Sequence, residues 1–278
     1  MAQNLLTFQN VSYSYPCLSS RAIENFDLNI SAGKKYALIG QNGCGKTTLF
    51  LLASGLYKPQ QGVIYWQGNP FQYNRSFLGN LHQQIGLVFQ NPEHQLVAAT
   101  VEEDISYGLN NLDLPTSEII DRVWATLDKF ALTPLAYEPV HHLSLGQKKQ
   151  VSIADVMVMN PCLLLLDEPT AYLDARHSQK LREYLEQIHQ LGTTIILASH
   201  DLDFVYHWAD WIFVIDGGQL IIEGTPREVF AQRKTIEKLQ LGLPVILTLV
   251  EKLELLATQT DNMSQKIFEQ WREHLLSK

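Results

Sequence analysis

The sequence has no long hydrophobic run. Its longest apolar stretches, Cys162–Leu166 and Pro244–Val250, fall far short of the roughly 20 residues a membrane-crossing helix needs. Any channel this chain serves is therefore expected to come from other chains. The opening MAQNLLTFQN lacks the basic start and apolar segment of a secretory signal. Cysteine is scarce: Cys17, Cys44 and Cys162 are odd in number, far apart and without a CxxC pair. That pattern fits a reducing, cytosolic setting better than a disulfide framework. No block of basic residues occurs and the net charge is −8, so a nucleic-acid partner is disfavoured. The nine histidines are scattered, with His141–His142 as the adjacent pair, and neighbours in sequence point in different directions. No ligand cluster for a transition metal follows. Internal repeats and low-complexity tracts are also absent.

What is present is a chain of 278 residues, 46% of them hydrophobic, enough for a large core. Short strands are expected at LLTFQNVSYSY, FDLNI, KYALIG, GVIYWQG and QIGLVFQ, with a helix at KTTLFLLASGL ending near Gly55. From about residue 91 to 160 the character turns helical, at TVEEDISYGL, SEIIDRVWATLDKFAL and GQKKQVSIADVMVM. Apolar strands CLLLLDEP, TTIILASH and WIFVID then alternate with helices ARHSQKLREYLEQIHQLG and DLDFVYHWAD. Such runs imply a mainly parallel sheet covered on both faces. The expectation is an α/β domain over residues 1–230, with an N-terminal antiparallel β region and a helical insertion at about 91–160. A small helical extension over 231–278 follows, broken at Gly242-Leu243-Pro244 and near Asp261.

GQNGCGKT, Gly40 to Thr47, fits the phosphate-loop pattern G-x-x-x-x-G-K-[ST] and stands where its mechanics require, between a buried strand and a helix. The glycines let backbone amides wrap phosphates, Lys46 reaches the β and γ oxygens, and Thr47 can hold Mg²⁺. Gly40, Gln41, Asn42, Gly43, Cys44, Gly45, Lys46, Thr47 and Thr48 are the expected nucleotide contacts. Cys44 lies close to a helix N-terminus, where thiolates are favoured; a thiol reagent is expected to inactivate the protein and nucleotide to protect it. LLLLDEPTAYLD supplies an acidic strand end. Asp167 can hold Mg²⁺ beside the loop, and Glu168 can accept a proton from the attacking water. Read alone, an Asp-Glu pair after a strand also serves as a helix cap.

Ahead of that strand, LSLGQ reads as a helix start: Ser144 can cap, and Val151, Ile153, Ala154, Met157 and Val158 recur at helical spacing. Phosphate loop, LSLGQ, acidic strand and His200 after TTIILAS together resemble, over about residues 4–230, the ATP-binding subunit of ABC transporters. The resemblance implies a P-loop NTPase (RecA-like) core that hydrolyses ATP with Mg²⁺. In that pattern Tyr15 stacks on adenine, in preference to Tyr13, and Gln90 reaches Mg²⁺ and the attacking water. Ser144, Gly146 and Gln147 present a helix N-terminus to an ATP held by another subunit, Asp174 crosses the dimer interface, and His200 contacts the γ-phosphate. Each ATP then lies between two chains of a head-to-tail homodimer. The family usually has Gly where this chain has Leu145; a preserved site requires negative φ there.

FQNPEHQLVAATVEEDISYGLNNLDLP looks like the ATPases of energy-coupling-factor importers, particularly those for cobalt or nickel. His94 stands where an acidic residue is common and receives no role. The resemblance implies peripheral placement on the cytoplasmic face of the membrane. Integral coupling and substrate-binding subunits are the implied partners, with a coupling-subunit helix seated on this block. ATPases for vitamins, amino acids or chelated iron, and non-transport ATPases of the same family, are the alternatives.

Overall fold

The computed structural model describes residues 4–16 and 20–257; Cys17 and the break expected near Asp261 lie outside them. Its centre is a sheet whose strands are β3 (Lys35–Ile39), β6 (Ile85–Val88), β7 (Leu163–Asp167), β8 (Thr194–Ala198), β9 (Trp211–Asp216) and β10 (Gln219–Gly224), in the order β10-β9-β3-β8-β7-β6. All pairings are parallel except β9 with β10. Strands β3, β7 and β8 are buried almost throughout because their two faces feed different cores. Ala37, Ile39, Leu164, Leu166, Ile195 and Leu197 join one cluster. Tyr36, Leu38, Leu163, Leu165 and Ile196 join the other. A strand wetted on neither face reads as an uninterrupted apolar run, although its side chains still alternate.

The second cluster is closed by helix α1 (Lys46–Ala53) and an antiparallel sheet of β1 (Asn4–Tyr13), β2 (Ile23–Ser31), β4 (Gln61–Trp66) and β5 (Asn69–Pro70), ordered β2-β1-β4-β5. Helix α2 (Arg75–Gln84) precedes β6; it is capped by Asn74 and buries only Leu81. Between β6 and β7 come α3 (Val101–Tyr107), α4 (Thr116–Lys129) and α5 (Leu145–Met157). Thr100 and Glu103 form a reciprocal capping box on α3, which satisfies amides that would otherwise be orphaned at the helix start. Helix α6 (Ala175–Gln190) links β7 to β8, and α7 (Leu202–Trp208) links β8 to β9.

After β10, the segment expected as one helical piece before Gly242 is two helices, α8 (Pro226–Ala231) and α9 (Arg233–Lys238), separated at Gln232. Helix α10 (Val245–Ala257) follows the Gly242-Leu243-Pro244 break. Ile236, Leu239 and Leu247 belong to the first cluster, so this segment shares the main core.

Where the helical block meets the sheet, half-buried Asp155 on α5 receives a 3.1 Å hydrogen bond from Gln95 Nε2. Burial pushes its carboxyl up to about 7; the Gln95 bond pulls the other way, and nearby Asp104 adds to the rise. A carboxyl raised on folding stabilises the fold while protonated, and that contribution is lost as pH climbs through about 7. Solvent reaching the side chain trims the effect to roughly 1 kcal/mol. Asp155→Asn is therefore expected to raise Tm by about 2–4 °C at pH 8 and by less at pH 5. At pH 5 only part of the contribution has been lost, because the loss runs from the unfolded value of 3.8 up to about 7. Thermal melts at the two pH values check this; equal shifts at both would contradict it.

Candidate active site

Parallel register brings the C-terminal ends of β3, β8 and β7 to one edge: Leu38 pairs Ala198, and Ala198 pairs Asp167. The turns after these strands hold the chemistry, as expected at the carboxyl edge of an open α/β sheet. After β3 the loop Gly40–Gly45 turns into α1. Gly45 has φ 113° and caps that helix, and a Cβ there would lie 2.6 Å from the Ala22 carbonyl. Both facts require glycine. Lys46 is buried and its Nζ donates to the carbonyls of Gly40 at 2.8 Å and Gln41 at 3.1 Å. Gln41 in turn donates from Nε2 to the Leu239 carbonyl at 2.8 Å. A cavity of about 470 Å³ beside the loop is lined by Gly40, Gln41, Asn42, Ser199, His200 and Gln240, among others.

Two strands away from the loop, Asp167 accepts a 2.6 Å hydrogen bond from Thr47 Oγ1. Burial raises its carboxyl above the usual range, while the Thr47 bond and Lys46 oppose the rise. Glu168 next to it adopts φ 46°, a left-handed conformation uncommon for a residue with a side chain. Its amide donates to the Ala198 carbonyl at 3.0 Å, and its Oε2 accepts from the His200 amide at 3.2 Å. His200 Nε2 approaches Glu168 Oε1 to 2.9 Å, yet Oε1 has no aligned hydrogen-bond partner. The close approach is a contact of poor direction, which leaves Oε1 an open acceptor. Burial pushes the Glu168 carboxyl up to about 7, with Lys46 the largest opposing influence. Burial, then Lys46, lowers the His200 pKa. The geometry is that of a proton acceptor held in a poorly solvated pocket beside a cation.

The sequence-expected residues divide spatially. Lys46, Thr47, Asp167, Glu168 and His200 are joined by the contacts above. Tyr15 meets α1 through a 3.0 Å hydrogen bond with Thr48, and its ring stands edge-on to Tyr13 and Tyr57, which stack on each other. Gln90 is exposed just beyond β6, whose Val88 pairs Leu166. Ser144, Gly146, Gln147 and Asp174 make local bonds instead, and none joins the phosphate loop among the described residues. Ser144 and Gln147 form a capping box on α5. Asp174 caps α6 and accepts from His177, bonds that lower its carboxyl pKa. Leu145 is the first residue of α5 and does not occur among the positive-φ residues, as a working motif requires. The glycine with no room is the next one: a Cβ on Gly146 would lie 2.5 Å from His177.

Cys44 is a correction. The residue is 6% exposed, and burial pushes its thiol pKa up, outweighing the influence of Lys46. A position near a helix start does not make a thiolate where water is excluded. Alkylation is accordingly expected to be slower than that of a free thiol by about tenfold, with bound nucleotide slowing it further; mass spectrometry of the labelled peptide measures both rates. Sequence reasoning missed Lys149, whose ammonium contacts the turn after Asp167. It also missed the link from Gln41 to Leu239.

A phosphate loop that faces an acidic strand end across one intervening strand defines a P-loop nucleoside triphosphatase. The family described as "ABC transporter" matches residues 23–171. A protein of Nostoc sp. named as an ABC transporter ATP-binding protein is 56% identical over 97% of this chain and 99% of its own length. The energy-coupling factor transporter ATP-binding protein EcfA2 of Clostridium perfringens is 40% identical, over 91% of this chain and 89% of its own. Among solved structures, CbiO1 of Clostridium perfringens, described as part of the ABC transporter complex CbiONQ, superposes with TM-score 0.76 at 41% identity, covering 90% of this chain and 99% of that one. The chain belongs to the ABC transporter family, as an ATP-binding subunit.

Proposed function

We propose that this chain hydrolyses ATP to power an importer of the energy-coupling-factor type, with cobalt or nickel as the cargo. The observation that carries the hydrolytic part is Glu168, a buried carboxylate with one unpartnered oxygen, set between the phosphate loop and His200. In this reading Lys46, the loop amides of Gly43 to Thr48 and the Tyr15 ring bind ATP. Thr47, Asp167 and Gln90 would hold Mg²⁺; the oxygen donors Thr47 Oγ1 and Asp167 Oδ2, already 2.6 Å apart, fit a hard cation. Bound there, the ion would neutralise charge on the β and γ oxygens. Glu168 takes the proton of the attacking water as its oxygen bonds to the γ-phosphorus, ADP leaves, and His200 orients the water.

The α5 N-terminus, presented by Ser144, Gly146 and Gln147, completes the site of a second copy, to which Asp174 also reaches. Two such sites are satisfied by a head-to-tail homodimer of one sequence. Loss of the γ-phosphate then weakens the bridge between copies and drives opening.

The membrane side of the reading rests on the block after β6. Val97 and Tyr107 are exposed there, and a groove of about 450 Å³ runs past Gly79, His82, Tyr107, Asn111 and Asp155. No helix among the described residues is long and apolar enough to cross a membrane; in this reading integral coupling and substrate-binding subunits contribute the channel, and this chain is peripheral on the cytoplasmic face. Cargo recognition, in the same reading, belongs to a partner subunit. The test is purification from native membranes, followed by uptake of radiolabelled cobalt and nickel into vesicles. Co-eluting integral subunits with ATP-dependent uptake are expected. Uptake of a vitamin instead would overturn the cargo alone, and recovery of nucleic acid or ribosomes without membrane chains would overturn the transport reading.

A further inference from the structure

Helix α5 carries a buried cation for which hydrolysis as described has no use. Lys149 is 6% exposed, and no carboxylate pairs with it among the described residues. Its Nζ donates to the main-chain carbonyls of Glu168 at 3.4 Å, Pro169 at 3.0 Å and Ala171 at 2.5 Å. Desolvating an ammonium is costly, and the cost is visible here: burial pulls its pKa down to about 8, against the opposing charge of Glu168. A lysine whose only task were to fill space would be replaceable by an uncharged side chain without that cost.

The turn it grips explains the cation. Glu168 and Tyr172, on either side of the bonded carbonyls, both take left-handed φ, at 46° and 64°. Each such residue stores backbone strain of order 1 kcal/mol or more, and such strain persists only where surrounding structure enforces it. Three carbonyls converging on one ammonium are that enforcement. The φ of Glu168 decides where its carboxylate points, and so whether Oε1 stays open between His200 and the phosphate loop.

We propose that Lys149 is a positioning residue for hydrolysis: its ammonium clamps the Glu168–Ala171 backbone and thereby aims the Glu168 carboxylate. Lys149 stands on the same helix as Ser144 and Gly146, so the clamp also ties the turn bearing this chain's own base to the helix offered to the partner's ATP. The inference rests on Glu168 being the base, which Glu168→Gln alone tests.

The experiment measures kcat for ATP hydrolysis and ATP affinity for Lys149→Met, Lys149→Arg and the combination of Lys149→Met with Glu168→Gln. Misaiming a catalytic group by about 1 Å costs on the order of 100-fold. Lys149→Met is therefore expected to lower kcat by roughly 10- to 100-fold, with ATP affinity within about twofold of the parent because the phosphate loop is untouched. Lys149→Arg, which keeps the cation and the donors, should recover a substantial part of that loss. With the carboxylate already removed, Lys149→Met should cost less than about twofold more, since residues acting through one group are non-additive. A Lys149→Met kcat near that of the parent would overturn the proposal. So would its full loss repeated on top of Glu168→Gln, because a purely structural role multiplies through. If Lys149→Met shows no cooperative melting transition, Lys149→Gln replaces it, and equal kcat for the Gln and Arg variants would count against the clamp. An unimpaired Glu168→Gln enzyme would instead remove the base assignment, a distinguishable result.

Discussion

Glu168→Gln is expected to bind ATP as the parent does and to hydrolyse it roughly 10²- to 10⁴-fold more slowly, the range lost when a positioned general base is removed. The substitution preserves shape, and the amide oxygen can still accept from the His200 amide, now 3.2 Å from Oε2. What disappears is the proton-accepting oxygen left open in the buried pocket. Burial strengthens the case for this residue as the base, because a carboxyl pushed up to about 7 is a better proton acceptor than one at its ordinary value and is still ionised in part at neutral pH. Phosphate release under single-turnover conditions, together with equilibrium nucleotide titration, measures both halves. Turnover within about threefold of the parent would remove Glu168 from that role.

Lys46→Ala is expected to fail at the step before. Its ammonium rests on the Gly40 and Gln41 carbonyls and lies within 3.9 Å of Cys44 Sγ, folded against the loop that is to receive the phosphates. Charge-assisted hydrogen bonds contribute about 1.5–3 kcal/mol each, so losing the contact to the β and γ oxygens should weaken ATP binding by roughly 10- to 100-fold. ADP, which lacks the γ-phosphate, should lose less. Calorimetric titration with both nucleotides separates these effects. Equal, small losses for ATP and ADP would show that Lys46 does not reach the terminal phosphate. The two variants thus divide the site: one changes affinity, the other the chemical step.

Much of this arrangement is legible in the chain because the signals are local. GQNGCGKT needs its left-handed Gly45, and LLLLD needs only to be apolar up to its acidic end. Other features were hidden for physical reasons. The alternation of β3, β7 and β8 between two cores leaves no polar trace, because neither face meets water. Helix α2 fully buries only Leu81 and has Gly79 at its middle, so its short stripe of Phe77, Leu78 and Leu81 is interrupted by a poor helix former. The Gln232 break between α8 and α9 is equally faint. Leu145 draws attention by departing from the family's usual glycine, whereas tolerance depends on which residue faces His177, and that is Gly146. Cys44 shows burial overriding a helix-terminus argument. Lys149 did leave a signal, since it lies four residues before Ile153 and thus on the apolar face of α5. Its partners, about 20 residues further on, could not be read from spacing.

The bond from Gln41 to the Leu239 carbonyl matters to anyone who wishes to shorten the protein. A cut at residue 230, where the ATPase pattern in the sequence ends, would delete Gln240, Leu241 and Gly242 from the wall of the cavity beside the phosphate loop. It would also free the Asp203 carboxylate that holds the Val245 amide at 2.7 Å. A fragment that keeps the wall of that cavity intact therefore extends at least through Gly242, and the segment after β10 is packed into the main core rather than appended to it.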